Sequence, residues 1–100
     1  MAAAQTGKLT GVVRDATTNQ PLEGVEVFIE GSGLTAYTAS NGRFFLISVP
    51  PGVYTVIARR PGFQSVSARN VNISIDVTRE QDFNLNQAAG VTLQIGRAQV

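Results

Sequence analysis

Neither cysteine nor histidine occurs in this chain of 100 residues, which removes together the most reactive nucleophile, the commonest general base and the commonest metal ligand. Chemistry is left to carboxylates, hydroxyls, tyrosine, arginine and a single lysine, Lys8. Asp15, Asp76 and Asp82 are hard oxygen donors of the kind calcium takes, yet they are spread along the sequence and lack the Asp-x-Asp-x-Asp-Gly spacing that wraps an ion. Asp15, followed by Thr17, Thr18 and Asn19, reads instead as the cap of its own loop. Arg43, Arg59 and Arg60 fall near turn ends. Gathered, they would bind an anion, a polysaccharide carboxylate or a partner's acidic face; apart, they are solvated strand ends. Tyr54, with Phe44, reads as core whose hydroxyl reaches a backbone partner. The expectation is therefore a protein that is not an enzyme and holds no metal or cofactor.

Eight basic and seven acidic residues leave a formal charge of +1, too balanced for a nucleic acid or an anionic membrane as partner. No apolar run approaches the roughly 20 residues of a membrane-spanning helix, so direct insertion by this segment is not expected. The opening Met-Ala-Ala-Ala-Gln has neither a charged n-region nor an apolar h-region. Its small residues are of the type that flanks signal cleavage, and equally of an ordinary flexible terminus, so residues 1–7 are expected to be a flexible lead-in.

The elements around these residues follow from a period of two. Residues 8–15 alternate with Leu9, Gly11 and Val13 inward, and residues 25–30 with Val25, Val27 and Ile29 inward. Residues 34–38, 43–48 and 53–60 supply three more strands, the last two placing Phe44, Leu46, Tyr54, Val56 and Ala58 on core faces. In 64–73 the inward set Val66, Ala68, Val71, Ile73 slips by one near Arg69-Asn70, as a bulge would cause. Residues 81–86 close the series with Phe83 and Leu85. Asn41-Gly42 and Pro50-Pro51-Gly52 punctuate the middle, each read as a tight reversal between paired strands. Seven strands and no helical periodicity predict an all-β antiparallel two-sheet sandwich over 8–87. Residues 88–100 form a tail in which Val91, Leu93 and Ile95 alternate, either an extra strand or a linker.

Six strings in order carry a family resemblance: Gly11-Val12-Val13-Arg14-Asp15, Asn19 through Val27, Thr38 through Phe44, Val49-Pro50-Pro51-Gly52-Val53-Tyr54, Gly62-Phe63, and Asp82-Phe83-Asn84-Leu85. Together they resemble the carboxypeptidase regulatory-like domain, a relative of the Cna B-type surface modules. The resemblance implies a seven-stranded Greek-key sandwich of the transthyretin (prealbumin) type, non-catalytic and appended to a larger protein. Its hosts include metallocarboxypeptidases, secreted or surface proteins and TonB-dependent outer-membrane receptors, where the module sits in the periplasm ahead of plug and barrel. It also raises an intramolecular isopeptide bond between Lys8 and Asn84 or Asn86. Such a bond needs a buried lysine and a nearby acid, whereas Lys8 is out of phase with Leu9 and Arg59-Arg60 stand where a glutamate is required.

Phe28, Phe45 and Ile47 fall out of phase with the inferred core and, with Val91, Leu93 and Ile95 of the tail, form the candidate interaction surface. The resulting expectation is a structural or interaction module of an exported bacterial protein, in the periplasm, outer membrane or cell surface. Its host would be a TonB-dependent receptor and its partner the neighbouring domain or another protein. The alternatives are a fibre subunit that self-associates by donating its tail as a strand, and a carbohydrate-binding module, which would need an exposed aromatic platform.

Overall fold

Strand β1, Gly7–Asp15, is the spine of the first sheet. The computed structural model describes residues 5–88, and within it Leu9 and Val13 of β1 are fully buried and Gly11 lies between them on the same face. Strand β2 is Glu26–Ile29, β3 Thr35–Tyr37, β4 Arg43–Val49, β5 Gly52–Arg59, β6 Val66–Ile73, β7 Thr78–Glu80 and β8 Phe83–Leu85. No helix occurs among the described residues. The first sheet runs β4-β1-β7, with β8 also on β1; the second runs β3-β2-β5-β6. The facing sides enclose one core that includes Leu9, Val27, Ile29, Phe44, Val56, Ile73 and Leu85. Phe44 of β4 and Phe83 of β8, on either side of β1, meet within it with ring centroids 6.1 Å apart.

Among the described residues eight strands stand where seven were expected: β8 answers the expected strand over 81–86, and β7, just ahead of it, was not foreseen. β7 and β8 lie in line along one side of β1 and are broken at Gln81-Asp82. The break does not orphan the spine: Gln81 N donates to Thr10 O at 2.8 Å and Val12 N donates to Asp82 Oδ1 at 2.9 Å. Both β7 and β8 run parallel to β1, so the sandwich is mixed rather than wholly antiparallel. Alternation encodes which face of a strand is buried and carries no information on the direction of its neighbour.

The two turn signals are real, but they do not make hairpins. β3 belongs to the second sheet, β4 to the first and β5 to the second again, so each turn carries the chain across the sandwich. At the first crossing, Gly42 N donates to Ala39 O at 2.8 Å and Ala39 N to Arg43 O at 2.9 Å. Gly42 has φ 80° and rests against β1, where a Cβ would lie 2.7 Å from Val13 O. The buried Thr38 hydroxyl fixes the departure from the second sheet, donating to Leu22 O at 2.6 Å while accepting from Val25 N at 2.9 Å. At the second crossing the Tyr54 hydroxyl donates to Pro50 O at 2.6 Å, the backbone partner expected of it.

Two bulges set the remaining phases. Tyr54 pairs with Val71 and Val56 with Ala68, which leaves Arg69 and Asn70 opposite one residue, and Asn70 takes φ 58°. That is the slip read from the sequence. The second lies in β4, where Leu9 pairs with Leu46 and Gly7 with Val49, and Ser48 takes φ 60°. It returns Val49 to the core, fully buried, against a strict alternation from Leu46. At the chain's start, Asp76 N donates to Thr6 O at 3.0 Å and Gly7 already belongs to β1, so the sandwich begins slightly before residue 8.

Candidate functional site

Strand β4 borders the first sheet, and among the described residues it pairs with β1 alone. Val13 N donates to Gly42 O, whereas Lys8 N donates away from β4, to Val77 O. Odd-numbered residues of β1 therefore direct their backbone groups at β4, and their partners Phe44 and Leu46 answer them. Phe45 lies between those two partners, so its N–H and C=O point off the sheet. At Arg43 the outward groups are occupied, since Ala39 N donates to its carbonyl and its own N–H donates to Asn41 Oδ1 at 3.0 Å. The open stretch of edge thus begins at Phe45.

The side chains there are apolar and exposed, Phe45 by 61% and Ile47 by 63%. With Lys8, Thr10 and Thr78 they line a groove of about 300 Å³ along the outer face of the first sheet. The Arg43 guanidinium lies 5.7 Å from the Phe45 ring centroid, covering part of it. Sheet edges are normally blunted by charge, proline or a bulge. Here the bulge and Pro50 guard only the far end, after Ile47.

Of the other residues singled out from the sequence, Phe28 does not join this surface. It is half-buried on the outer face of the second sheet, with the Arg59 guanidinium 4.8 Å above its ring. Phe45 and Ile47 come together; Phe28 stands apart. Val91, Leu93 and Ile95 lie outside the described residues.

The arginines also divide. Arg43 stays with Phe45, while Arg59 and Arg60 line a separate depression with Glu26, Tyr37, Pro61 and Ser65. Tyr37 is 65% exposed, a lining residue that the strand read over 34–38 does not by itself single out. The available signal was its alternation with Ala36 in a strand too short to be covered on both faces.

The three aspartates do not gather. No group of three or more His, Cys, Asp or Glu side chains suited to a metal occurs among the described residues. Asp15 caps its loop: its Oδ1 accepts from Thr17 N at 2.8 Å and Thr18 N at 3.2 Å, and its Oδ2 from Gln87 Nε2 at 3.2 Å. The Thr17 amide and the Gln87 amide hold its carboxyl below the usual aspartate value, against an opposing contribution from burial. Asp82 is engaged by Val12 N. Lys8 and Asn84 are exposed on the outer face of the first sheet, and Asn86, just past β8, is exposed too, so the buried lysine of an isopeptide site is absent.

Comparison with known proteins supplies the lineage. A chain of the type II cohesin–X-dockerin complex from Acetivibrio cellulolyticus superposes with a TM-score of 0.64 at 25% identity, over 77% of this chain and 52% of that one. The TIE protein of Bacillus anthracis is similar with a TM-score of 0.63 at 17% identity, over 84% of this chain and 17% of that one. The minor pilin GBS52 of Streptococcus agalactiae gives 0.60 at 17% identity, over 85% and 46%. This chain spans about half the length of the cohesin–X-dockerin chain, and the two likenesses at 17% identity speak for the fold alone. No curated protein matches by sequence. The model of the carboxypeptidase regulatory-like domain matches residues 8–86, nearly the whole of the sandwich, and the chain belongs to that family.

Proposed function

We propose that this chain is a non-catalytic docking and spacing module of an exported bacterial protein, bound through the β4 edge to the neighbouring domain of its host. The host in this reading is a TonB-dependent outer-membrane receptor, with the module as its periplasmic N-terminal extension. One observation carries the docking reading. Phe45 and Ile47 display a large apolar pair beside open backbone groups, on a strand whose other face is already complete core. The near-neutral charge suits a protein partner, and the hosts known for the family support the choice of receptor, a warrant of analogy.

The test uses a protein that comprises this chain and the segment that follows it in its host. Phe45→Ser combined with Ile47→Ser is expected to release the sandwich from its neighbour, seen as a larger radius of gyration by small-angle scattering with an unchanged melting temperature for the sandwich. An identical scattering profile overturns the docking surface. A downstream sequence without plug and barrel overturns the receptor.

Self-assembly is the second reading, favoured by the outward N–H and C=O of Phe45, to which residues 91–95 of another copy would add as a strand. Light scattering that finds only monomers, with and without residues 89–100, excludes it.

A further inference from the structure

The second sheet builds a different site on its outer face. Tyr37 of β3 stands opposite Glu26 of β2, Glu26 stands opposite Arg59 of β5, and Ser65 follows one step beyond the Ala58–Val66 pair. This row, with Arg60 and Pro61, encloses a depression of about 370 Å³. Both arginines are held in place by the protein. Arg59 Nε donates to Glu26 Oε1 at 2.7 Å and its guanidinium lies on Phe28; Arg60 Nε donates to Glu23 O at 2.9 Å and its guanidinium lies 5.4 Å from the Phe63 ring centroid. Each is therefore fixed through Nε and through its flat face, which leaves the paired Nη groups as the donors for an incoming anion.

Two guanidiniums against the single carboxylate of Glu26 leave one positive charge on the lining. We propose that this depression is a binding site for an acidic peptide segment, whose side-chain carboxylate is held by Arg59 and Arg60 while an adjacent apolar side chain rests on Tyr37 and Pro61. Tyrosine and arginine are the residue types that dominate protein–protein hot spots. A phosphate dianion would be undercompensated by a single net charge. A sugar would find hydroxyl partners in Tyr37 and Ser65 as well, and the glucuronate arm of the test below separates the two. The site lies on the opposite sheet from Phe45 and Ile47, so it stands whether or not the β4 edge docks a neighbour.

The experiment is a heteronuclear NMR titration of the chain with the capped tripeptide acetyl-Glu-Phe-Gly-amide, its Gln counterpart, and glucuronate. The Glu peptide is expected to shift the amides of Gly24, Glu26, Tyr37, Arg59, Arg60 and residues 62–65, and the Gln peptide to bind about tenfold more weakly. Arg60→Gln and Tyr37→Ser are each expected to weaken the Glu peptide by a similar factor. Because Arg60 also contacts the Glu23 carbonyl, Arg59→Lys is the companion variant: it keeps the charge beside Glu26 and removes the fork. Equal binding of the Glu and Gln peptides, shifts that fall elsewhere, or unchanged affinity in all three folded variants overturns the proposal. Glucuronate binding more tightly than the Glu peptide also overturns it, and makes the depression a sugar site.

Discussion

Gly11 and Gln81 meet where no side chain fits between them: a Cβ on Gly11 would run into the Gln81 carbonyl oxygen and lie 2.9 Å from the Phe44 ring. The contact sits at the interruption between β7 and β8, where the chain presses inward against the spine of the first sheet. Gly11→Ala should therefore either push the interruption off β1 or distort β1 itself. A loss of roughly 2–3 kcal/mol in denaturant-induced unfolding is expected, and a variant as stable as the parent would show that the interruption is not packed as described.

Phe44 and Phe45 are neighbours in sequence with opposite fates. Phe44 is fully buried and Phe45 mostly exposed. Phe44→Ala should cost about 3–5 kcal/mol by loss of burial and opening of a cavity. Phe45→Ser in the isolated chain should stay within about 0.5 kcal/mol of the parent. Equal costs in chemical denaturation would contradict the phase of β4.

The Tyr54 hydroxyl and the Pro50 carbonyl hold the second sheet crossing. Tyr54→Phe keeps the ring and removes the donor, and a loss of about 1 kcal/mol is expected. Hydrogen exchange gives the sharper readout: the amides of Val49, Gly52, Val53 and Tyr54 should lose protection while those of β2 do not.

Asp15 supplies the pH dependence. Its carboxyl lies below the ordinary aspartate value because the folded state donates the Thr17 and Gln87 hydrogen bonds to the ionised form. The unfolded chain therefore takes up the proton first on acidification. The contribution is complete at neutral pH, begins to fall as the pH drops into the ordinary aspartate range, and is gone below the lowered folded value. Melting temperatures recorded from neutral to strongly acid pH should show this fall in the parent and a flatter profile in Asp15→Asn. Identical profiles would remove Asp15 from the account.

Much of this architecture was legible in the residues, and the failures are informative. The inward sets of β1, β2 and β5 follow from alternation because each strand has one core face, and the slip at Arg69-Asn70 announced itself as broken spacing. Val49 was not legible as core, since its burial depends on the positive φ of Ser48, a backbone event that leaves no mark on hydrophobic periodicity. Asn41-Gly42 and Pro50-Pro51-Gly52 declared two reversals, but a turn signal does not say whether the next strand pairs with the last or joins the facing sheet. The same ignorance of the third dimension grouped Phe28 with Phe45 and Ile47, which are likewise out of phase but lie on the opposite outer face. The Arg59 and Arg60 depression needed that dimension too, since Tyr37 and Arg59 become neighbours only through Glu26 between them.

The parallel course of β1 and β8 fixes where the ends of the sandwich lie. β1 starts beside Thr78 and finishes beside Leu85, so the chain enters the sandwich at one pole and leaves it at the other, roughly 30 Å away for a nine-residue strand. Tension applied through the flanking polypeptide therefore slides β1 lengthwise against β7 and β8, and their hydrogen bonds share the load together instead of opening one after another.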